Sequence, residues 1–309
     1  MLQALNLPKK VYFKPGCMPV ALRELGDIYR CQCALLVTDP ELYRAGIAAP
    51  VADRLRKQEI RVAEFFTIGK RVSFGDLRSA LPKLSEFQPD VIVGVGGNNA
   101  MSAAKALLAL YQEPELDLAA AVADPERVPA CTKAKLVLVA TNFSSGAQNS
   151  PFAMLENDSG QNCSLKSIHL LPEISVTDAD FTATLTAEQV KTCALEILSH
   201  AARAYLDLGF CLGIGGALLR RESEALRDAV ARAPLDRLLV ETDSPYVLPD
   251  VPWTGSKKSL SRVRNSSLLL LRVVEEIARL KHLPPETAEA AILENTRRVF
   301  HLSGAENGG

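Results

Sequence analysis

The chain contains no apolar run approaching the roughly 18 residues that a membrane-crossing helix needs, and Met1–Lys10 has no long apolar core of the kind found in leader segments. A soluble, cytoplasmic protein is the expectation. An excess of charge is also missing: 35 Lys and Arg against 36 Asp and Glu leave a net charge of −1, which excludes a general attraction to nucleic acid or an anionic membrane. Any contact with nucleic acid would need a local patch. No C-x-x-C pair occurs and the seven cysteines are odd in number, so neither a zinc-ribbon nor a disulfide framework is expected. Cys31-Gln-Cys33 encloses too short a loop for an ordinary disulfide, and the cysteines read as reduced, structural thiols. Internal repeats and low-complexity segments are absent.

What is present is a chain long enough to bury a substantial core. At 309 residues and 48% hydrophobic composition, two domains are expected. Short apolar runs alternate with helical patterns through the first half, the signature of a mostly parallel sheet covered by helices. Strands are expected at Ala34–Thr38, Arg61–Phe66, Val91–Val95, Lys135–Ala140 and Glu173–Thr177, with helices over Glu41–Lys57 (broken near Pro50), Asp76–Phe87 and Ala100–Tyr111. Thr186-Ala-Glu-Gln189 matches a capping box and opens a helix with no Gly or Pro until Gly209. Beyond it come a strand (Phe210–Ile214), a helix (Glu222–Ala231), a strand (Arg237–Glu241), a basic loop, and helices over Ser267–Lys281 and Pro285–Phe300. The tail Gly304–Gly309 reads as disordered.

Val91–Lys105 places a glycine pair, Gly96 and Gly97, between a strand and a helix. Such a turn lets backbone N–H groups and a helix N-terminus approach a diphosphate closely. Asn98 tolerates the left-handed backbone of such a turn and Asn99 is a sound N-cap. A helix-capping loop with no ligand is the alternative.

Leu7-Pro-Lys-Lys-Val-Tyr-Phe-Lys-Pro-Gly16, Gly96-Gly-Asn-Asn-Ala-Met-Ser-Ala-Ala-Lys105 and Ser150-Pro-Phe-Ala-Met154 resemble the N-terminal half of iron-containing alcohol dehydrogenases. The likeness, which is greatest to the dehydrogenase part of bifunctional aldehyde/alcohol dehydrogenases, runs from residue 1 to about 203. It implies a Rossmann-like, doubly wound domain that binds NAD(P). The family pattern G-G-G-S-x-x-D-x-x-K becomes Gly96 to Lys105, with Ser102 where the acid stands. A second family loop, T-T-x-G-T-G-S-E, becomes Thr141-Asn-Phe-Ser-Ser-Gly-Ala-Gln148, which has lost one glycine, the second threonine and the terminal acid. Asp39 matches a position that contacts the adenosine side of the cofactor; a strand-end turn residue is its other reading. The implied cofactor set is Asp39, Gly96, Gly97, Asn98, Asn99, Ser102, Thr141 and Ser145.

The same family holds iron with one Asp and three His, and another divalent metal could serve the same chemistry of polarising an alcohol oxygen. Glu196 and His200 map to the Asp and the first His, and their i, i+4 spacing puts both on one helix face. The other two histidines belong to a helical domain that this chain lacks, and His169, His282 and His301 lie outside any matching motif. A solvated Glu-His pair is the alternative.

From about Ala202 to residue 303 the resemblance changes. Tyr205-Leu-Asp-Leu-Gly-Phe210, Gly213-Ile-Gly-Gly216 and Leu238-Leu-Val-Glu-Thr-Asp-Ser-Pro-Tyr246 resemble the last quarter of TatD-type metal-dependent hydrolases. The two likenesses overlap at Ala202–Tyr205, inside one helix, which sets the division at 1–200 and 201–309. The second implies the last two strands and closing helices of a (β/α)8 barrel. Asp243 matches that family's metal-binding aspartate, yet the family also needs an H-x-H, a Glu and two further His, and no H-x-H occurs here. Asp243 as a lone turn or capping residue is the alternative. Lys257, Lys258, Arg262 and Arg264 could meet the phosphate of a nucleic acid, or form a solvated charge cluster. Two strands cannot close a barrel, so the apolar residues Leu268, Leu271, Val274, Ile277, Leu280, Ile292 and Val299 are expected to dock on the first domain or stay partly exposed, and self-association through strand edges is expected.

The fold class is thus α/β: a Rossmann-like doubly wound domain followed by a partial barrel segment. The reading is an iron-containing alcohol dehydrogenase-like NAD(P)-binding protein with an incomplete metal site. A TatD-like hydrolase fragment of the DNase type and a non-catalytic, chimeric gene product are the alternatives.

Overall fold

The computed structural model describes residues 6–302, apart from 144, 184, 222, 243 and 245–265. The chain divides into two compact units, Met1–Cys193 and Ala194–Gly309. Within the first, β1 (Lys10–Phe13), β2 (Cys33–Thr38), β3 (Arg61–Phe65), β4 (Val91–Gly96) and β5 (Lys135–Ala140) belong to one sheet. The strands β6 (Phe152–Glu156) and β7 (Asn162–Lys166) form a separate antiparallel hairpin, and β8 (Ile174–Thr177) returns to the main sheet. The six-stranded sheet is parallel throughout, in the order β1-β8-β5-β4-β2-β3. Its central strands are continuous apolar runs because both faces are covered: every residue of β2 and β4 is buried.

Alternate residues of each strand feed opposite layers. Leu35, Val37, Ile92, Leu136 and Leu138 join the core beneath α4 (Phe74–Ser79), α5 (Leu81–Phe87) and α6 (Asn98–Gln112). Ala34, Leu36, Val93, Val137 and Val176 face α1 (Met18–Asp27) and α3 (Ala49–Arg56), which contribute Leu22, Leu25, Val51 and Leu55. The short helix α2 (Pro40–Arg44) follows β2, and α7 (Leu118–Ala123) and α8 (Ala179–Thr182) complete the unit. From Ala100 to Leu110 every residue of α6 is buried, since the sheet lies under the helix and the β6–β7 hairpin lies over it.

Several expected elements differ in detail. The segment Glu41–Lys57 is two helices, α2 and α3, separated at Ala45–Ala48. Asp76–Phe87 is likewise split at Ala80, two residues before Pro82, whose ring and missing N–H do not suit a continuous helix. Neither β1 nor the β6–β7 hairpin was expected. Both are short, and β1 alternates half-buried and exposed positions as an edge strand does.

The helix α9 (Ala187–Asp207) starts with the expected capping box: Gln189 N donates to Thr186 Oγ1 at 3.2 Å, and Thr186 N donates to Gln189 Oε1 at 2.8 Å. In the second unit β9 (Leu212–Ile214) and β10 (Leu238–Val240) pair in parallel. Around them lie α10 (Glu224–Arg232), α11 (Leu270–Lys281) and α12 (Pro285–Phe300). Asn295, buried on α12, donates through Nδ2 to the carbonyls of Leu235 and Leu238 at 2.8 and 2.9 Å and so fixes the start of β10. The expectation of uncovered helix faces holds only in part. Ile277 and Ile292 are buried against Ile214, Leu218, Val230 and Leu238, and Val274 and Leu280 pack at the rim, because this unit forms a small core of its own. Leu268, Leu271 and Val299 are exposed, at 75%, 58% and 38%.

Candidate functional site

The strand order reverses between β2 and β4: β3 continues outward from β2, whereas β5 continues from β4 in the other direction. In open α/β sheets the crevice at the carboxyl ends of such a pair is where ligands bind. Asp39 follows β2 and Gly96 ends β4, so both stand at that crevice.

Gly96 adopts φ +154°, where side chains are strained, and a Cβ there would lie 2.7 Å from Ala100 Cβ and 2.8 Å from Asp39 Oδ2. Only glycine fits this position. Gly97 is the N-cap of α6 in extended backbone, with no side chain capping the helix. Its Cβ position lies 2.8 Å from Asn142 Nδ2, so a side chain two residues past β5 rests on the Gly97 peptide. Thr141, buried, donates its N–H to Gly96 O at 3.1 Å and binds the two loops together.

The half-buried Asp39 accepts a hydrogen bond from Gly97 N–H. Burial first, and the nearby Glu41 second, push its carboxyl above the ordinary aspartate range, while the Gly97 N–H opposes the shift. One N-terminal donor of α6 is therefore already occupied. The next amides belong to Asn98 and Asn99, which lie in the first turn and have no helical partner for their N–H groups.

Two expectations for the turn are corrected. Asn98 is a regular first-turn residue and Gly96 carries the unusual φ, because glycine meets that requirement without strain. Asn99 is not the N-cap: the helix begins two residues earlier than expected, at Asn98, and Asn99 Nδ2 donates to Lys70 O at 2.8 Å, tying down the loop after β3. Ser102 lies one turn into α6, buried, where Oγ accepts from Met154 N at 2.9 Å, so it faces the hairpin rather than the turn. Ser145 Oγ accepts from Ala147 N at 3.3 Å.

Lys105 is the residue that the sequence-derived set omitted. It is fully buried, and Nζ donates to the carbonyls of Ala147, Ser150 and Phe152, each at 2.7 Å. Burial lowers its pKa from 10.5 to about 7. Its place at the end of the G-G-G-S-x-x-D-x-x-K pattern was the available signal.

The metal ligands fare differently. Glu196 and His200 share a face of α9, but both are exposed to solvent. Among the described residues no group of three or more His, Cys, Asp or Glu is arranged to hold a metal ion. Asp243 and the basic residues Lys257, Lys258, Arg262 and Arg264 lie outside the described residues. No helix among the described residues is long and apolar enough to cross a membrane.

Comparison with known proteins agrees with two origins. The family model for iron-containing alcohol dehydrogenases matches residues 8–179, and that for TatD-related DNases matches residues 175–301. The bifunctional aldehyde-alcohol dehydrogenase of Escherichia coli K12 is 30% identical over 213 residues, which are 66% of this chain and 24% of that protein. An uncharacterised metal-dependent hydrolase of the same organism is 38% identical over 132 residues, covering 41% of this chain and 47% of the hydrolase. The chain thus spans about a quarter of the dehydrogenase relative and about half of the hydrolase. Among solved structures, a sulfoacetaldehyde reductase of Bifidobacterium kashiwanohense in complex with NAD+ superposes with a TM-score of 0.61 at 16% identity, over 75% of this chain and 58% of the reductase. An NADH-dependent butanol dehydrogenase of Thermotoga maritima gives 0.58 at 21% identity, over 64% and 50%.

Proposed function

We propose, for a chain that belongs to the iron-containing alcohol dehydrogenase family through residues 8–179, a function in binding NAD(H) or NADP(H) at the Gly96–Gly97 turn without completing a metal centre for alcohol oxidation. The observation that carries this reading is the cradle itself: Gly96 admits no Cβ, Gly97 lies in the α6 N-cap, and the pair sits at the sheet's switch point. A bound dinucleotide would bring its diphosphate to the first-turn amides of Asn98 and Asn99, where the partial positive charge of the helix end favours an anion. Thr141 and Asn142 would flank it from the β5 side and Asp39 from the β2 side, with Ser145 further along the second loop. Ser102 would act indirectly, by holding the hairpin. The nicotinamide ring, when bound, supplies hydride chemistry; the chain's part is to bind and orient it.

Iron does not fit the residues present. Glu196 and His200 are two solvent-exposed groups, and two ligands on one helix hold a divalent ion weakly. The TatD-like segment, for which we retain the functional division at 1–200 and 201–309, has the reverse imbalance. Its relative is the more similar, but the H-x-H that its chemistry requires is absent from the sequence. Titration of NADH, followed by the rise in its fluorescence, tests the dinucleotide reading. Saturable binding is the expected result, and no binding up to millimolar cofactor overturns it.

A further inference from the structure

Lys105 and Ser102 lie three residues apart on the same face of α6, the face covered by Ala147–Met154. One grips three carbonyls and the other a backbone N–H of that segment, which continues directly from the loop that begins at Thr141. Thr141 is bonded to Gly96, and Asn142 rests on Gly97. The far end of the loop is thus anchored to α6 by Lys105, and its near end lies at the cofactor turn. We propose that Lys105 is a positioning residue of the dinucleotide site, fixing the Thr141 loop over the Gly96–Gly97 turn, and that Ser102 leaves this anchor without the countercharge that an acid at the same position would supply. The inference rests on the dinucleotide reading above.

The ammonium is isolated. The segment against it, Ala147–Phe152, carries no titratable side chain, and Tyr111 is the only other titratable group on α6. Glu156, at the end of β6, is paired with Arg71 at 3.4 Å, and His169, in the turn packed on α6, is exposed. Burial lowers its pKa to about 7, against the three carbonyls that accept from the protonated amine. The sign follows from linkage. An amine with a lower pKa when anchored than when the loop is open favours the anchored state as the proton leaves, so the loop is held more firmly above neutrality than below it.

Lys105→Met would strand three carbonyls and is expected to compromise folding. Ser102→Asp is the informative variant, because a carboxylate can still accept from Met154 N–H while pairing with the ammonium. The full-length wild type and S102D are titrated with NADH from pH 6.5 to 8.5, and the backbone amides of Ala147–Met154 are followed by hydrogen exchange without cofactor. For the wild type, the NADH Kd should fall by about tenfold across this range as protection of those amides rises. S102D should bind about tenfold more tightly than wild type at pH 6.5 and lose the pH dependence. A wild-type Kd that is flat or weakens with pH, or an S102D profile parallel to wild type, overturns the proposal. No NADH binding by either protein removes the dinucleotide reading. In that case, exchange that still responds to S102D would show an anchor that positions no cofactor, and unchanged exchange would show no anchor.

Discussion

Replacing Gly96 and Gly97 separately by alanine should damage the protein in two different ways. At position 96 the new methyl would sit 2.7 Å from Ala100 Cβ and 2.8 Å from Asp39 Oδ2, against a comfortable carbon contact of about 3.5 to 4 Å. Neither neighbour can retreat: Ala100 is part of the buried α6, and Asp39 holds the Gly97 amide. Overpacking costs about 1 to 3 kcal/mol, and a side chain at φ +154° adds about 1 kcal/mol or more, so roughly 3 kcal/mol is expected. With a urea m-value of about 2 kcal/mol/M, the midpoint should drop by about 1.5 M. At position 97 the methyl meets only Asn142 Nδ2, the end of a half-buried side chain, and the backbone is already extended. The stability cost should stay below about 1 kcal/mol, yet the methyl would fill the path of the diphosphate and weaken NADH binding by at least about tenfold. Far-UV circular dichroism in urea reads the first effect. Equal destabilisation by the two variants, or unchanged NADH affinity in Gly97→Ala, would refute this account of the turn.

Three further outcomes are expected. Limited proteolysis should cut after Gly209 first and leave a resistant fragment ending near α9, because the second unit has the smaller core and leaves Leu268 and Leu271 in water, each forgoing about 1.5 to 3 kcal/mol of burial; equal resistance of both parts would oppose this, and concentration-dependent association is expected alongside it. Added ferrous, zinc or magnesium ions should elicit neither alcohol oxidation nor nuclease activity, and turnover abolished by Glu196→Ala or Asp243→Ala would reveal ligands beyond those identified. Since the Lys105 pKa is about 7 folded and 10.5 ordinarily, the unfolded chain binds more protons between those values, so the stability of the first unit should rise by about 1.5 kcal/mol from pH 7 to about 8.5 in wild type, below the range where the thiols of Cys31 and Cys131, whose pKa values burial raises, oppose it; an unfolding midpoint insensitive to pH over that window would contradict the burial.

How far the sequence reaches differs from one feature to the next. The apolar runs of β2, β4 and β5 were legible because a strand covered on both faces must be apolar throughout, and the capping box of α9 because its two hydrogen bonds are local. The presence of two families was legible from residue identity alone, and the matches to residues 8–179 and 175–301 bear that out, although they overlap at 175–179, ahead of α9. The edge strand β1, the β6–β7 hairpin and the cover over Ile277 and Ile292 depend on partners distant in the chain, which no local pattern specifies.

At the candidate site, the sequence by itself determined which loops converge in chemistry: a glycine pair opening a helix and an acid ending a strand are local facts about what the backbone can do. Only the tertiary structure decided how those groups are used. It turned Asp39 onto the Gly97 amide, sent Asn99 to the Lys70 carbonyl and Ser102 to the hairpin, and buried Lys105 among three carbonyls from a segment more than forty residues away in sequence. The physical reason is that a buried polar group must find a partner, and which partner is within 3 Å is set by packing across the sheet and helix layers, not by neighbours along the chain.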